Sequence, residues 1–369
     1  MKDTNSKISP KQTPDLSILT KDTGWYGGHS GFYEQLGKRL KKQPFKGKIF
    51  KPKNNLPSKI LGRLNNMRFG KPYENDFLSS AQLNFYHKTR NKKNNISCVL
   101  NMDDNWQLLK HWKSVPKSLV GVIHIPTSQW AENGQIHTSK WFIREGYEMC
   151  HRLKSAIVLW EREIPKIEQL VGPGRVAFVP HGIDTNFFHP GNKPRKKISF
   201  LACGQYLRDF DMLQSIFENL QNVYPEVELR IVIPKHFLKI IDLSWAEKNS
   251  NVTIISGLSD EELLTEYQLA TALLIPFIDS GANNATMEAM ACGCPIVSND
   301  IGGIRSYGGG SVYPIGNNSD DLVKIALNLI ENSTYTIEMS HKLRSYSLNF
   351  DWEKVAPLFY STVNDLASQ

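Results

Sequence analysis

From Ile198 onward the chain alternates short apolar runs with segments of helical spacing, and few folds accommodate that rhythm. The runs ISFLAC, LRIVI, VTIIS, ALLIP and CPIV lack a polar–apolar alternation, so they read as strands buried on both faces. Between them lie DMLQSIFENL, DEELLTEYQLA and MEAMA, whose apolar residues recur at helical intervals. Strand and helix in strict succession predict a parallel sheet with right-handed crossovers, hence a doubly wound α/β domain from Ile198 to about Arg344.

The first half repeats the pattern less cleanly. LSILT, ISCVL, LVGVIHI, AIVLW and RVAFV are further buried-strand candidates, and Phe32, Leu36 and Leu40 form an apolar stripe after GWYGGHSG. Between Lys41 and Asn95 the periodicity fades, which predicts a basic insertion with at least one short helix. Pro180 to Lys197 is rich in Pro, Gly and charge and reads as the linker. Trp352, Val355, Phe359, Val363 and Leu366 recur at helical spacing, so the C-terminus is an amphipathic helix that must cover an apolar surface. The expected organisation is a first domain over 1–185 with its insertion at about 41–95, a second over 186–350, and a helix over 351–369 returning to the first. Two such domains face each other across a deep cleft at their strand ends, where α/β folds bind ligands. The Gly27-Gly28 and Gly204 turns, each following a first strand, would face that cleft.

Charge is unevenly distributed. Leu36 to Asn95 carries sixteen Lys and Arg against Glu74 and Asp76, a balance of +14, whereas the whole chain is +8 and the remainder is therefore −6. SKILGRLNNMRF sets Ile60, Leu61, Leu64 and Met67 along one face with Lys59, Arg63 and Arg68 elsewhere. Such a stretch suits an anionic membrane surface, with a solvated insertion as the equally weighted alternative. No apolar run approaches a membrane span of ~20 residues, and no signal-peptide-like region opens the sequence. The five cysteines, Cys98, Cys150, Cys203, Cys292 and Cys294, are odd in number and lack metal-ligand spacing. The expectation is a cytoplasmic chain with reduced core thiols, peripheral at the inner membrane face.

The densest motif is SGANNATMEAMACGCPIVSNDIGG, Ser280 to Gly303. Ser280, Gly281, Ala282 and Ala285 leave a backbone uncovered enough for its N–H groups to approach a ligand. Thr286 to Ala291 reads as a helix start with Glu288 in its first turn, and Gly293 as its stop. A helix N-terminus thus faces something anionic, with a carboxylate available to grip hydroxyls.

Together VPHGIDTNFFHP, the 280–303 stretch and the terminal FDWEKVAPLFY resemble the retaining GT-B glycosyltransferases of family four. The likeness runs from Ile157 to Leu366 and, more loosely, over Leu16 to Leu40 and Leu119 to Trp130. It implies a GT-B fold of two Rossmann-like domains and transfer of a sugar from a UDP- or GDP-sugar, as co-substrate, to a glycan or lipid-linked acceptor. Anomeric configuration would be kept, with no metal or other cofactor. The family signature spaces two glutamates eight positions apart around a glycine-rich turn. The second matches Glu288, implied to hold the donor ribose hydroxyls; the first falls on Ser280, a departure, with Asp279 adjacent. Gly281, Ala282, Asn283 and Asn284 are implied to present N–H groups and amides to the sugar and diphosphate. In CGQYLRDF, Gln205 replaces the family's first basic residue after Gly204, leaving Arg208 as the implied diphosphate ligand and stabiliser of the leaving group. Its alternative is a solvated helix-start Arg beside Asp209. Gly27 and Gly28 match the family's glycine pair near the diphosphate and acceptor, and His124 matches an acceptor-side His; the alternative for His124 is a core histidine satisfied by backbone. His181, Gly182 and Asp184 are expected to act as hinge and cap.

Other classes fit less well. The basic run has no nucleic-acid recognition motif beside it, so no nucleic acid partner is expected. Neither GWYGGHSG nor GGIRSYGGG has the spacing of a dinucleotide fingerprint. Asp103 and Asp104 in NMDDNW could hold a divalent cation, but they follow a first-domain strand and a solvated loop is the preferred reading. Ser280 and Gln205 keep open a GT-B scaffold that binds a nucleotide sugar with weak or no turnover.

Overall fold

A computed structural model describes residues 15–20, 28–43, 47–69, 76–92, 95–103, 112, 114–130, 148, 150–192 and 198–369. Its first half contains β1 (Asp15–Leu19), α1 (Phe32–Leu40), β2 (Gly47–Phe50), α2 (Leu56–Phe69), α3 (Asp76–Thr89), β3 (Asn95–Val99), β4 (Leu119–Ile123), β5 (Ser155–Val158), α4 (Ile164–Val171) and β6 (Val176–Phe178). The second half contains β7 (Ser199–Cys203), α5 (Phe210–Val223), β8 (Glu228–Val232), α6 (Ser244–Glu247), β9 (Val252–Ile255), α7 (Asp260–Leu269), β10 (Ala272–Leu274), α8 (Asn284–Ala291), β11 (Ile296–Asn299), β12 (Ile315–Gly316), α9 (Ser319–Glu331), α10 (Ser333–Ser347) and α11 (Trp352–Ser368).

The strands form two six-stranded sheets in the orders β2-β1-β3-β4-β5-β6 and β12-β11-β10-β7-β8-β9, parallel throughout. Each is doubly wound, and each reverses direction once: between β1 and β3 in the first, between β7 and β10 in the second. Those reversals open a crevice at the carboxyl ends of the strands, because successive crossovers diverge to opposite faces there.

Period-two alternation assigns the first sheet's side chains to two cores. Leu16, Ile18, Val120, Val122 and Ile157 face a large apolar cluster with Leu36, Val355, Phe359 and Val363, whereas Leu19, Val99, Ile123 and Val158 pack with Phe85, Trp112 and Trp130. The first cluster is continuous with the second domain, since α11 packs on α1 and on β3 to β6. Ser155 Oγ donates to the Leu366 carbonyl at 3.1 Å, and Glu353 meets Arg39 and Lys42, each at 3.1 Å.

The two chain crossings are zipped together. Ile183 N donates to Phe350 O at 2.9 Å and Trp352 N to Ile183 O at 3.2 Å. Gly182 is required there: a Cβ would sit 2.4 Å from the Trp352 ring. Arg344 donates to the carbonyls of Thr185, Phe188 and Ala291. This part of the linker is therefore a buried seam rather than a loose strap.

The segment expected as an insertion belongs to the sheet. β2 supplies its edge, with Ile18 paired to Ile49 and Leu19 to Phe50, and α2 and α3 then lead on to β3. Its signal was weak because only Phe50 of the four strand residues is buried, and Lys48 sits on an exposed edge where charge is normal. Cys98, Cys150, Cys292 and Cys294 are buried free thiols, with Cys203 half-buried. Among the described residues, no helix is long and apolar enough to cross a membrane.

Candidate active site

The second sheet's reversal point brings two turns together. After β7 the chain runs through Gly204, in a left-handed conformation (φ +84), to Arg208; after β10 it runs from Ile275 to Asn283. They are laced by Asp209 N to Pro276 O at 3.1 Å and Ile278 N to Leu207 O at 3.0 Å. Arg208 does not project into solvent. Its Nε donates to Cys203 O at 3.0 Å, its Nη1 to Tyr206 O at 2.8 Å, and its guanidinium lies 4.7 Å from the Phe277 ring centroid. The guanidinium thus sits on the Gly204 turn, where a Cβ would fall 2.8 Å from Nη2.

Helix α8 begins at this turn. Asn283 is its N-cap, its Oδ1 accepting from Thr286 N at 3.2 Å, so that side chain serves the helix terminus; Asn284 is the first helical residue and Ala282 is partly buried just before the cap. Glu288 lies in the second turn, not the first as expected, because the helix starts two residues earlier than Thr286. It is buried, and Oε2 accepts from the Tyr267 hydroxyl at 2.7 Å. Burial drives the Tyr267 pKa well up, and the neighbouring Cys203 and Glu288 add to it. The Cys203 thiol is pushed up to about 12, first by burial and then by Glu288. Cys203, Tyr267 and Glu288 thus form one polar cluster beneath the Gly204 turn and the start of α8.

Asp279 and Ser280 diverge. Asp279 Oδ1 accepts from Ser280 N at 2.6 Å, and its Oδ2 accepts from the Ser128 hydroxyl of the first domain. Ser280 is buried and donates to the Gly281 carbonyl at 3.0 Å. The Gly302-Gly303 turn after β11 lies against it, with Gly303 N donating to Ser280 O at 2.8 Å and Gly302 at φ +60.

Facing this, the first sheet contributes His124 at the end of β4. Its backbone N–H donates to Asp103 Oδ2 at 2.6 Å and Nε2 lies 2.7 Å from the Leu100 carbonyl. Phe32 packs edge-on against its ring at 4.9 Å. Asp103 is buried, so the solvated-loop expectation fails for it; it braces the His124 backbone instead. Asp104 lies outside the described residues. Trp160, buried after β5, touches the second domain at both glycine turns: a Cβ on Gly281 would meet its ring at 2.9 Å and the His124 carbonyl at 3.0 Å, and one on Gly303 would meet Trp160 Cβ at 2.9 Å.

The opposite rim of the cleft is also in contact. Gly28 is left-handed (φ +72), and a Cβ there would fall 2.3 Å from Asp260 Oδ2, at the start of α7. His29 donates its backbone N–H to that oxygen at 3.2 Å, places Nδ1 2.8 Å from Asp184 Oδ2, and stacks on Phe187 at 3.6 Å. Burial would raise the Asp184 pKa, but hydrogen bonds from His29 and from Phe187 N–H outweigh it and hold the carboxyl low. Gly27 lies outside the described residues. His181 is buried with Nδ1 2.7 Å from Gly182 O, and burial lowers its pKa to about 4.

Gly204, Arg208, Asp279, Ser280, Gly281 and Glu288 therefore meet at one reversal point, with His124 across the cleft and Gly28 at its far rim. Trp160, Tyr267, Asp260 and Gly302-Gly303 were not anticipated. The glycine pair was legible as a turn after CPIV; the Trp and Tyr carried no pattern beyond ordinary core spacing.

Residues 197–332 match the family model described as Glycosyl transferases group 1. An alignment 207 positions long, taking in 50% of this chain, is 27% identical to the MMP alpha-(1->4)-mannosyltransferase of Mycolicibacterium hassiacum and covers 49% of it. The chain spans about half the length of the curated relatives it matches first. Among solved structures, sucrose-phosphate synthase from Thermosynechococcus elongatus aligns with a TM-score of 0.73 at 13% identity over 96% of this chain and 99% of that one. HepE from Anabaena aligns with a TM-score of 0.65 at 14% identity over 95% of this chain and 99% of its own. Two facing parallel sheets are the GT-B arrangement, and within it residues 197–332 of the second domain are similar to the group 1 glycosyltransferases.

Proposed function

We propose that the protein transfers a sugar from a nucleoside-diphosphate sugar to a glycan or lipid-linked acceptor with retention of anomeric configuration. The observation that carries this reading is the convergence of the Gly204 turn, the Asp279–Asn283 turn and the start of α8 at the second sheet's reversal point. Backbone amides at a helix N-terminus favour a diphosphate, and Arg208 adds positive charge beside them. Glu288, held by Tyr267, is the ribose ligand in this reading. His124 and the Gly28 turn form the acceptor side. HepE, whose fold this chain shares, was solved with UDP and glucose, which supports a uridine diphosphate donor.

A second reading, a scaffold that binds a nucleotide sugar with little turnover, draws on Ser280. Its hydroxyl is buried and donates to a backbone carbonyl, and Asp279 accepts from Ser128 and from Ser280 N, so both groups are engaged by the protein itself.

Calorimetry with UDP, GDP and ADP on wild type and Glu288→Ala tests the donor site. One diphosphate binding tightly, and at least ~10-fold more weakly to the variant, is the expected result. Binding of none, or binding indifferent to Glu288, overturns it. Sugar release from the matching nucleotide sugar then separates the enzyme from the scaffold.

A further inference from the structure

Helix α2 is exposed in an unusual way. Among the described residues, five of the twelve exposed large apolar side chains belong to it: Leu56, Ile60, Leu61, Leu64 and Met67. The other seven are scattered over separate elements, as is ordinary for a protein surface. At 3.6 residues per turn, Leu56, Ile60, Leu64 and Met67 fall within an arc of about 80°. Ser58 and Gly62, half-buried and buried, lie on the opposite side, where α2 packs against α3. The apolar stripe therefore points directly away from the protein, with Leu64 60% and Met67 73% exposed.

Its charge surroundings are one-sided. The sequence contains no Asp or Glu between Glu34 and Glu74. Lys53, Lys59 and Arg63 are all exposed beside or within the stripe, whereas Lys51, nearer the body of the domain, acts on Glu34. An acidic or neutral protein partner would account for either the charge or the apolar row; a lipid surface with anionic headgroups takes both, because apolar side chains enter the acyl boundary while cations stay among phosphates.

Placement adds a reason. Thr20 N donates to Phe50 O at 3.1 Å, so the Lys51–Asn55 segment leaves β2 level with the carboxyl end of β1. The start of α2 thus lies at the carboxyl-end side of the first sheet.

We propose that the outer face of α2 docks onto an anionic lipid bilayer, with Leu56, Ile60, Leu64 and Met67 seated at the headgroup boundary and Lys53, Lys59 and Arg63 paired with lipid phosphates. The proposal stands independently of the donor chemistry.

The test is sedimentation of the full chain with phosphatidylcholine vesicles, with and without phosphatidylglycerol. Wild type is expected to bind only the anionic vesicles, and less as salt rises. Ile60→Gln/Leu64→Gln and, separately, Lys53→Gln/Lys59→Gln/Arg63→Gln should each lower the partition coefficient more than about tenfold. Leu358→Gln, which removes a lone exposed leucine of α11, should bind like wild type. Failure of wild type to bind, or binding that both multiple variants retain, overturns the proposal. So does a dimer in light scattering that Ile60→Gln/Leu64→Gln dissociates while vesicles remain unbound, since the stripe would then be covered by a second copy.

Discussion

Tyr267 donates its hydroxyl to Glu288 Oε2 at 2.7 Å, joining helix α7 to helix α8 inside the second domain. The tyrosine is fully buried and the carboxylate nearly so. Removing the hydroxyl leaves a buried carboxylate without one partner, which costs about 1–3 kcal/mol. Tyr267→Phe is expected to lower the melting temperature and to weaken nucleoside-diphosphate binding less than Glu288→Ala does. Thermal unfolding and calorimetry on the two variants check both orders.

Gly302 is expected to be intolerant of any side chain. At φ +60 an alanine is strained, and its Cβ would fall 2.0 Å from the Ser280 carbonyl oxygen. Gly302→Ala should lose about 2–4 kcal/mol of stability, measured by urea unfolding. Gly281→Ala differs: its obstacles, Trp160 and the His124 carbonyl, belong to the other domain. It is expected to leave stability nearer wild type and to cut sugar transfer instead, by holding the cleft open.

Arg208→Lys separates charge from shape. Lysine keeps the positive charge but cannot cap the Cys203 and Tyr206 carbonyls as a planar fork. A fall in stability of about 1–3 kcal/mol is expected from the lost carbonyl bonds. Diphosphate affinity should fall further in Arg208→Met than in Arg208→Lys; calorimetry that finds the two equal would remove Arg208 from the proposed diphosphate site.

His181 predicts a pH dependence. Burial between Phe32 and Trp352 lowers its pKa from 6.5 to about 4, so the folded state holds the neutral ring. Between those values the unfolded chain binds more protons, and stability is present above pH ~6.5 and lost as pH falls towards ~4. The loss is on the order of 3 kcal/mol. His181→Phe keeps an aromatic ring without the titration, and urea midpoints should fall less steeply with pH in this variant than in wild type.

The parallel sheets were legible in the sequence because strands buried on both faces must be continuously apolar, and runs such as LRIVI and LVGVI have no other use. The helix after the glycine-rich turn was legible for a local reason too: Asn283 and Gly293 act through their own cap and backbone geometry. The edge strand β2 escaped notice because an exposed edge makes no demand for apolar residues, and Glu288 was misplaced by one turn because the cap, Asn283, precedes the helix start that the spacing suggested. What the tertiary structure alone decided is who faces whom. Trp160 against Gly281, Asp260 against Gly28, Tyr267 beneath Glu288 and Asp103 behind His124 join residues 21 to 232 positions apart. Such pairings depend on the order of strands in each sheet and on the seating of one domain upon the other, and no local propensity encodes either.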